Sequence, residues 1–269
     1  MDNGSAMNRV VLGLRYDGQA YEGWQTQPHG RTVQDKLAKA IGSIAGHPPQ
    51  LHCAGRTDTG VHARQQVVHF DTPSVRPASA WVKGVNNFLP NDIVVTGVTC
   101  VEDDFHARFS AVSRTYRYHF YTSPVLDPFK PFMTWVHYPL NLPAMQEAGQ
   151  ALVGQHDFTA FRASQCQAKS PVKTLYSLQW LLENDHVAVQ IHGNAFLHHM
   201  VRNIMGALFE VGLGRKPVDW VAGLLAGRDR SQGAKTAPAQ GLTLWEVEYP
   251  EHYGIARLFN PTHFLESRS

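Results

Sequence analysis

Residues 51–71 read LHCAGRTDTGVHARQQVVHFD. Leu51 to Ala54 is a short strand by composition, and Gln65 to Asp71 (QQVVHFD) is the next one. Between them runs a loop carrying Arg56-Thr57-Asp58-Thr59-Gly60. Two strands in succession decide the fold, because a strand and a helix stand on either side of them. Upstream, Val10 to Tyr16 (VVLGLRY) reads as a buried strand ended by the turn signal Asp17-Gly18, and a loop with Gly23-Trp24-Gln25 follows. Thr32 then opens a helix with Asp35 three residues on, in the manner of a capping box. Val33, Leu37, Ile41 and Ile44 give that helix its apolar face, and Gly46 ends it. Downstream, a helix from about Ala78 to Phe88 stops at Leu89-Pro90-Asn91-Asp92, and Ile93 to Val101 is a strand. The order β-α-β-β-α-β is that of a split, ferredoxin-like sheet with helices on one face.

The second half carries the same elements. Arg114 to Tyr121 (RTYRYHFY) alternates, placing Tyr116, Tyr118 and Phe120 on one side. A helix is expected near Pro143 to Val153, strands at Thr174 to Glu183 and His186 to Gly193, and a long helix from about Asn194 to Val211. A shorter helix near Val218 to Ala226 and a strand from Leu242 to Tyr249 complete the pattern. The expected organisation is a disordered or expression-derived lead-in over residues 1–8 and an N-terminal α/β half over 9–106. A C-terminal α/β half over 107–250 and a tail over 251–269 follow.

Hydrophobic content of 43% against 17% charged residues describes an ordinary globular chain. No apolar run reaches the length of a bilayer span, and MDNGSAMN lacks the pattern of a secretory signal. Three widely spaced cysteines then read as reduced thiols in a cytoplasmic protein. Adjacent His198 and His199 point about a quarter-turn apart on a helix and cannot chelate as an i, i+4 pair would, so no metal is expected. The net charge of +2 is mild, but the cations bunch. Arg56 and Arg64 flank the loop of residues 54–63. Arg108, Arg114 and Arg117 surround an aromatic segment, and Arg202, Arg215, Lys216, Arg228 and Arg230 come late. Taken singly, each reads as a solvated surface group.

Asp58 admits three readings. An aspartic protease needs two carboxylates sharing a proton, and the chain has a single Asp-Thr-Gly. Arg56 would also hold Asp58 ionised. A turn-forming Asp with an exposed Arg partner is frequent and contributes little to stability. A lone nucleophile or base in an electropositive groove is the third reading. Gly55 and Gly60 would then admit a large ligand, the arginines would meet phosphates, and Tyr116 would offer a stacking face for a base.

Arg56-Thr57-Asp58-Thr59-Gly60-Val61-His62-Ala63 resembles the active-site segment of the TruA family of tRNA pseudouridine synthases. Tyr16-Asp17-Gly18, Gly23-Trp24-Gln25, Phe105-His106-Ala107-Arg108-Phe109, Arg114-Thr115-Tyr116-Arg117-Tyr118 and His156-Asp157-Phe158 resemble further family segments, in the family's order. So do Asn194 to Gly206 and Ala237 to Leu242, and the resemblance runs from about Arg9 to Tyr249. It implies the α+β pseudouridine synthase fold: two ferredoxin-like halves joined in a mostly antiparallel sheet, with helices outside and a basic central cleft. It also implies isomerisation of uridine to pseudouridine at nucleotides 38, 39 and 40 in the anticodon stem-loop of tRNA, without cofactor or metal, by a homodimer. Asp58 would be the essential carboxylate, Arg202 its cationic partner, Arg56 the residue holding the target nucleotide flipped out, and Tyr116 the ring stacked on the uracil. The rival from another class is a non-catalytic RNA-binding protein on the same fold.

Overall fold

Strand β1 (Asn8–Tyr16) is buried along nearly its whole length, with Val10, Val11, Leu12 and Leu14 at 1% exposure or less. A strand covered on both faces must be central and roofed on both sides. The computed structural model describes residues 7–260. The expected lead-in falls outside these apart from Met7 and Asn8, as does the tail beyond residue 260. The chain divides into two compact units, one of residues 1–112 with 244–269, the other of residues 113–243.

In the first unit β1 runs antiparallel between β3 (His62–Thr72) and β4 (Ile93–Val101), and the two-residue β2 (His52–Cys53) pairs with β3. The β4-β1-β3 order with β2 on β3 is the split β-α-β layout expected from the paired strands. Helix α1 (Val33–Ala45) lies between β1 and β2 in the chain and buries Val33, Leu37, Ala40 and Ile41. Leu12 and Leu14 share one pleat face, while Gly13 and Arg15 share the other. There the 3-10 turn Ile255–Phe259 closes over the sheet, and Arg15 Nη2 donates to the Phe259 carbonyl at 3.3 Å. The helix expected over residues 78–88 contains a π-helical turn, Ala80–Gly84, in which Val85 N–H reaches back five residues to the Ala80 carbonyl.

The second unit is built on β5 (Ser113–Thr122), β7 (Gly154–Asp157), β8 (Val172–Glu183) and β9 (His186–Gly193), ordered β5-β9-β8-β7 and antiparallel. A short β6 (Thr134–Val136) joins β5 in parallel. Helices α2 (Leu142–Gln150), α3 (Met200–Gly212) and α4 (Trp220–Gly227) complete it, and β10 (Leu242–Glu248) starts in this unit and ends in the first. Tyr118 and Phe120 are both buried on β5, edge-on to Phe209 of α3 at 5.9 and 5.2 Å between ring centres. The fold is α+β with mostly antiparallel pairing.

One helix starts later than its periodicity predicts. Residues 194–199 are a loop, and α3 begins at Met200 instead of near Asn194. His199 has φ +61°, a left-handed conformation no helix accommodates, and it becomes the N-cap. Asn194 is tied to β8 instead: its N–H donates to the Thr174 carbonyl and its Oδ1 accepts from the Thr174 N–H, both at 3.0 Å.

Candidate active site

The loop from β2 to β3 is held from below by backbone and side chains of β1, β3 and the Gly23-Trp24 turn. Ala54 N–H donates to the Val67 carbonyl at 2.8 Å and so leaves the sheet in register. Trp24 N–H donates to the Thr57 carbonyl at 2.9 Å, and Val61 N–H to the Asp58 carbonyl at 3.1 Å. Thr57 is buried and its Oγ1 shares a hydrogen bond with the Tyr16 hydroxyl at 2.8 Å. Arg56 and Thr59 are exposed and Asp58 is half-buried. Thr57 is thus buried between an exposed Arg56 and a half-buried Asp58.

Two glycines explain why Tyr16-Asp17-Gly18 and Gly23-Trp24-Gln25 accompany this loop. A Cβ on Gly18 would lie 2.0 Å from the Val61 carbonyl oxygen, which no side chain tolerates. Gly23 sits at φ +81°, and a Cβ there would also come within 2.9 Å of the Thr57 carbonyl. The Gly23 and Trp24 carbonyls accept from Val33 and Gln34 N–H at 3.2 and 3.1 Å, satisfying two open donors of the first turn of α1. A chain of backbone bonds therefore runs from α1 through Trp24 to Thr57.

Arg56 and Arg108 lie close to the start of this loop, and Arg64 follows it on β3. The exposed Arg64 guanidinium lies 4.2 Å from the centre of the Trp245 ring. Burial pushes the Cys53 thiol up to about 12, against the pull of the Arg56 and Arg108 charges, so it stays protonated at neutral pH. Arg108 also lies 5.5 Å from the centre of the exposed Phe109 ring.

In the second unit Tyr116 is half-buried on β5, opposite Ile191, with its ring edge-on to Phe196 at 4.9 Å. Arg202 stands three residues past the His199 N-cap, in the first turn of α3. Its Nε donates to the Ala237 carbonyl at 2.8 Å, and Ala237 N–H returns a bond of 3.0 Å to the Arg202 carbonyl. Next to it Asn203, buried, donates to the Phe161 carbonyl and accepts from Thr236 Oγ1 and Arg230 Nη2 at 2.7 and 3.0 Å. These bonds moor the segment 230–237 to α3 and orient the Arg202 guanidinium. Burial pushes the Tyr118 phenol upward, opposed by its hydrogen bond to Thr134 and by the charge of Arg202.

The predicted residues are therefore placed two by two: Arg56 and Asp58 on one loop of the first unit, Tyr116 and Arg202 on β5 and α3 of the second. Sequence reasoning gave no role of their own to Tyr16, Thr57 and Gln66, the polar residues in and beneath the Asp58 loop. The available signal was Gln66 itself, a polar side chain directly before the apolar pair Val67-Val68 of β3.

The sequence matches the tRNA pseudouridine synthase family over residues 14–110 and 148–250, segments that include Arg56, Asp58 and Arg202, while Tyr116 lies between them. A tRNA pseudouridine synthase A of Aromatoleum aromaticum is 55% identical over 248 residues, spanning 92% of this chain and 94% of that protein. Its counterpart in Paraburkholderia xenovorans is 50% identical over 250 residues, 93% of each chain. The protein of that name in Bordetella petrii is 50% identical over 267 residues, 96% of this chain and all of its own. Matched across both units, and half identical to relatives of its own length, the chain belongs to the tRNA pseudouridine synthase family of isomerases.

Proposed function

We propose that this protein converts uridine to pseudouridine at nucleotides 38, 39 and 40 in the anticodon stem-loop of tRNA, with Asp58 as the essential carboxylate. The observation that carries the assignment is the construction of the Asp58 loop. Thr57 is anchored through both its carbonyl and its hydroxyl, so the next residue is presented from a fixed backbone. A turn that served only to reverse the chain would need no such buried support.

The reaction breaks the bond between uracil N1 and ribose C1′, turns the base, joins C5 to C1′, releases the C5 proton and leaves a proton on N1, so product and substrate are isomers. Attack of the carboxylate on C1′, its addition to the base, and removal of a ribose proton toward a glycal all begin from an ionised Asp58. Arg202, oriented by its bond to the Ala237 carbonyl, is the proposed cationic partner of that carboxylate. A neighbouring guanidinium favours the ionised form. Tyr116 is proposed to stack on the uracil, worth about 1–3 kcal/mol per base, enough to retain the detached base but not to cause the reaction. Extruding the uridine from its stack costs a few kcal/mol. Arg56, exposed beside Asp58, is proposed to hold the nucleotide flipped out.

Among the described residues no helix is long and apolar enough to cross a membrane. We further propose a cytoplasmic homodimer working without metal or cofactor, as the family resemblance implies. The deciding experiment measures tritium released from C5-labelled, unmodified tRNA, with tRNA binding followed in parallel. Intact protein should release tritium, and Asp58→Ala should release none while binding tRNA with little change. Release by the variant at the intact rate would remove Asp58 from the mechanism. Binding without release by either protein would favour the RNA-binding rival.

A further inference from the structure

Gln66 has no exposed surface and sits on β3 beside Val67 and Val68, which are equally buried. Burying a primary amide is costly unless its donors and acceptor are all used. Here the amide grips one residue at both ends. Its Nε2 donates to the Gly55 carbonyl at 2.7 Å, and its Oε1 accepts from the Gly55 N–H at 3.4 Å. The same Nε2 donates to the Tyr16 hydroxyl at 3.3 Å, and that hydroxyl meets Thr57 Oγ1 at 2.8 Å. One buried side chain thus fixes Gly55 directly and Thr57 through a single relay. These are the residues immediately before Arg56 and Asp58.

We propose that Gln66 and Tyr16 are positioning residues for the isomerisation, setting where the Arg56 and Asp58 side chains leave the backbone. This rests on Asp58 being the reactive carboxylate. An apolar residue at position 66 would satisfy the strand and the core equally well; only the loop requires the amide. Neither side chain touches the substrate in this role. Their effect is on the reach and direction of the carboxylate, and a misplacement of about 1 Å is enough to cost roughly a hundredfold in rate.

The test uses full-length Tyr16→Phe, Thr57→Val, Thr57→Ser and Gln66→Leu proteins. Single-turnover tritium release, the tRNA dissociation constant and the urea unfolding midpoint are measured for each. Tyr16→Phe and Thr57→Val each delete one end of the relay while keeping ring or branch shape. Both are expected to slow release roughly tenfold to a hundredfold, with tRNA affinity changed less than about threefold. Thr57→Ser keeps the hydroxyl and should recover most of the rate. Gln66→Leu should slow release at least as much as Tyr16→Phe; should it fail to fold, the two relay variants decide the matter. Wild-type rates in both relay variants would overturn the proposal while leaving the reaction standing. So would a Thr57→Ser protein as slow as Thr57→Val, or slow release that tracks lost tRNA affinity or lost folded protein. No release from the unsubstituted protein would overturn the proposed reaction and this role together.

Discussion

His69, on β3, is 2% exposed and its Nδ1 accepts the Ala107 N–H at 3.1 Å, a bond that requires that nitrogen to be unprotonated. His52 stacks on it at 4.9 Å between ring centres, and His106 meets it edge-on at 4.7 Å. Burial foremost, then the neighbouring His106, His52 and Arg9, push its pKa down to about 3 from the ordinary 6.5, while Asp71 pulls the other way. Between those two values the unfolded chain binds a proton that the folded chain refuses. Stability should therefore be fully present above about pH 6.5 and fall as the pH drops toward 3, by at most about 1.4 kcal/mol per pH unit for this one group. His106, also pushed down by burial, adds in the same direction. Urea midpoints at pH 7 and pH 5 check this, and His69→Phe should show a shallower difference between the two. Equal pH dependence in both proteins would mean that His69 is not the group responsible.

At the scale of elements, α1 and α3 make opposite cases. The capping box of α1 closes as the spacing of Thr32 and Asp35 predicts. Asp35 N–H donates to Thr32 Oγ1 and Thr32 N–H to Asp35 Oδ2, both at 3.2 Å. Thr32 has no exposed surface, so its truncation leaves a buried donor unmet. Thr32→Ala should cost about 1 kcal/mol, within a range of roughly 0.5–2, read as a lower urea midpoint at unchanged slope. Through the Gly23-Trp24 turn the same change should also loosen the Thr57 anchor. Tritium release should then fall by a larger factor than the folded fraction does. For α3 the apolar repeat runs back to Leu197, yet the helix begins only at Met200. Periodicity reports which face is apolar; it is silent on a left-handed residue such as His199 and on the claims of β8 upon Asn194.

For the whole molecule, a net charge of +2 conceals a bunched distribution of arginines and lysines. Binding of a polyanion by such a protein releases counterions, and affinity falls with salt in proportion to the phosphates contacted. The affinity for tRNA should drop by at least roughly tenfold between 50 and 200 mM salt, the result of about three or more phosphate contacts. Filter binding across that range, with the Asp58→Ala protein alongside, measures the slope without interference from turnover. An affinity independent of salt would contradict an RNA-binding surface built on these cations.

Much of this protein is written locally. Strand alternation in β5, the cap of α1, the turn glycines and the succession β2-loop-β3 are short-range patterns, each set by the dihedral and burial preferences of neighbouring residues. They were sufficient for the split β-α-β plan, and the ordered motifs were sufficient for the family. The support of the candidate site was decided by tertiary structure. Gln66 reaches Gly55 across 11 positions, Tyr16 reaches Thr57 across 41, and Arg202 reaches Ala237 across 35. No periodicity spans such distances. A buried amide or hydroxyl finds its partner only when packing has removed water and left one geometry in which the polar group is satisfied. The proposal that Asp58 is the reactive carboxylate starts from a motif in the sequence; what holds that loop in place belongs to the folded chain.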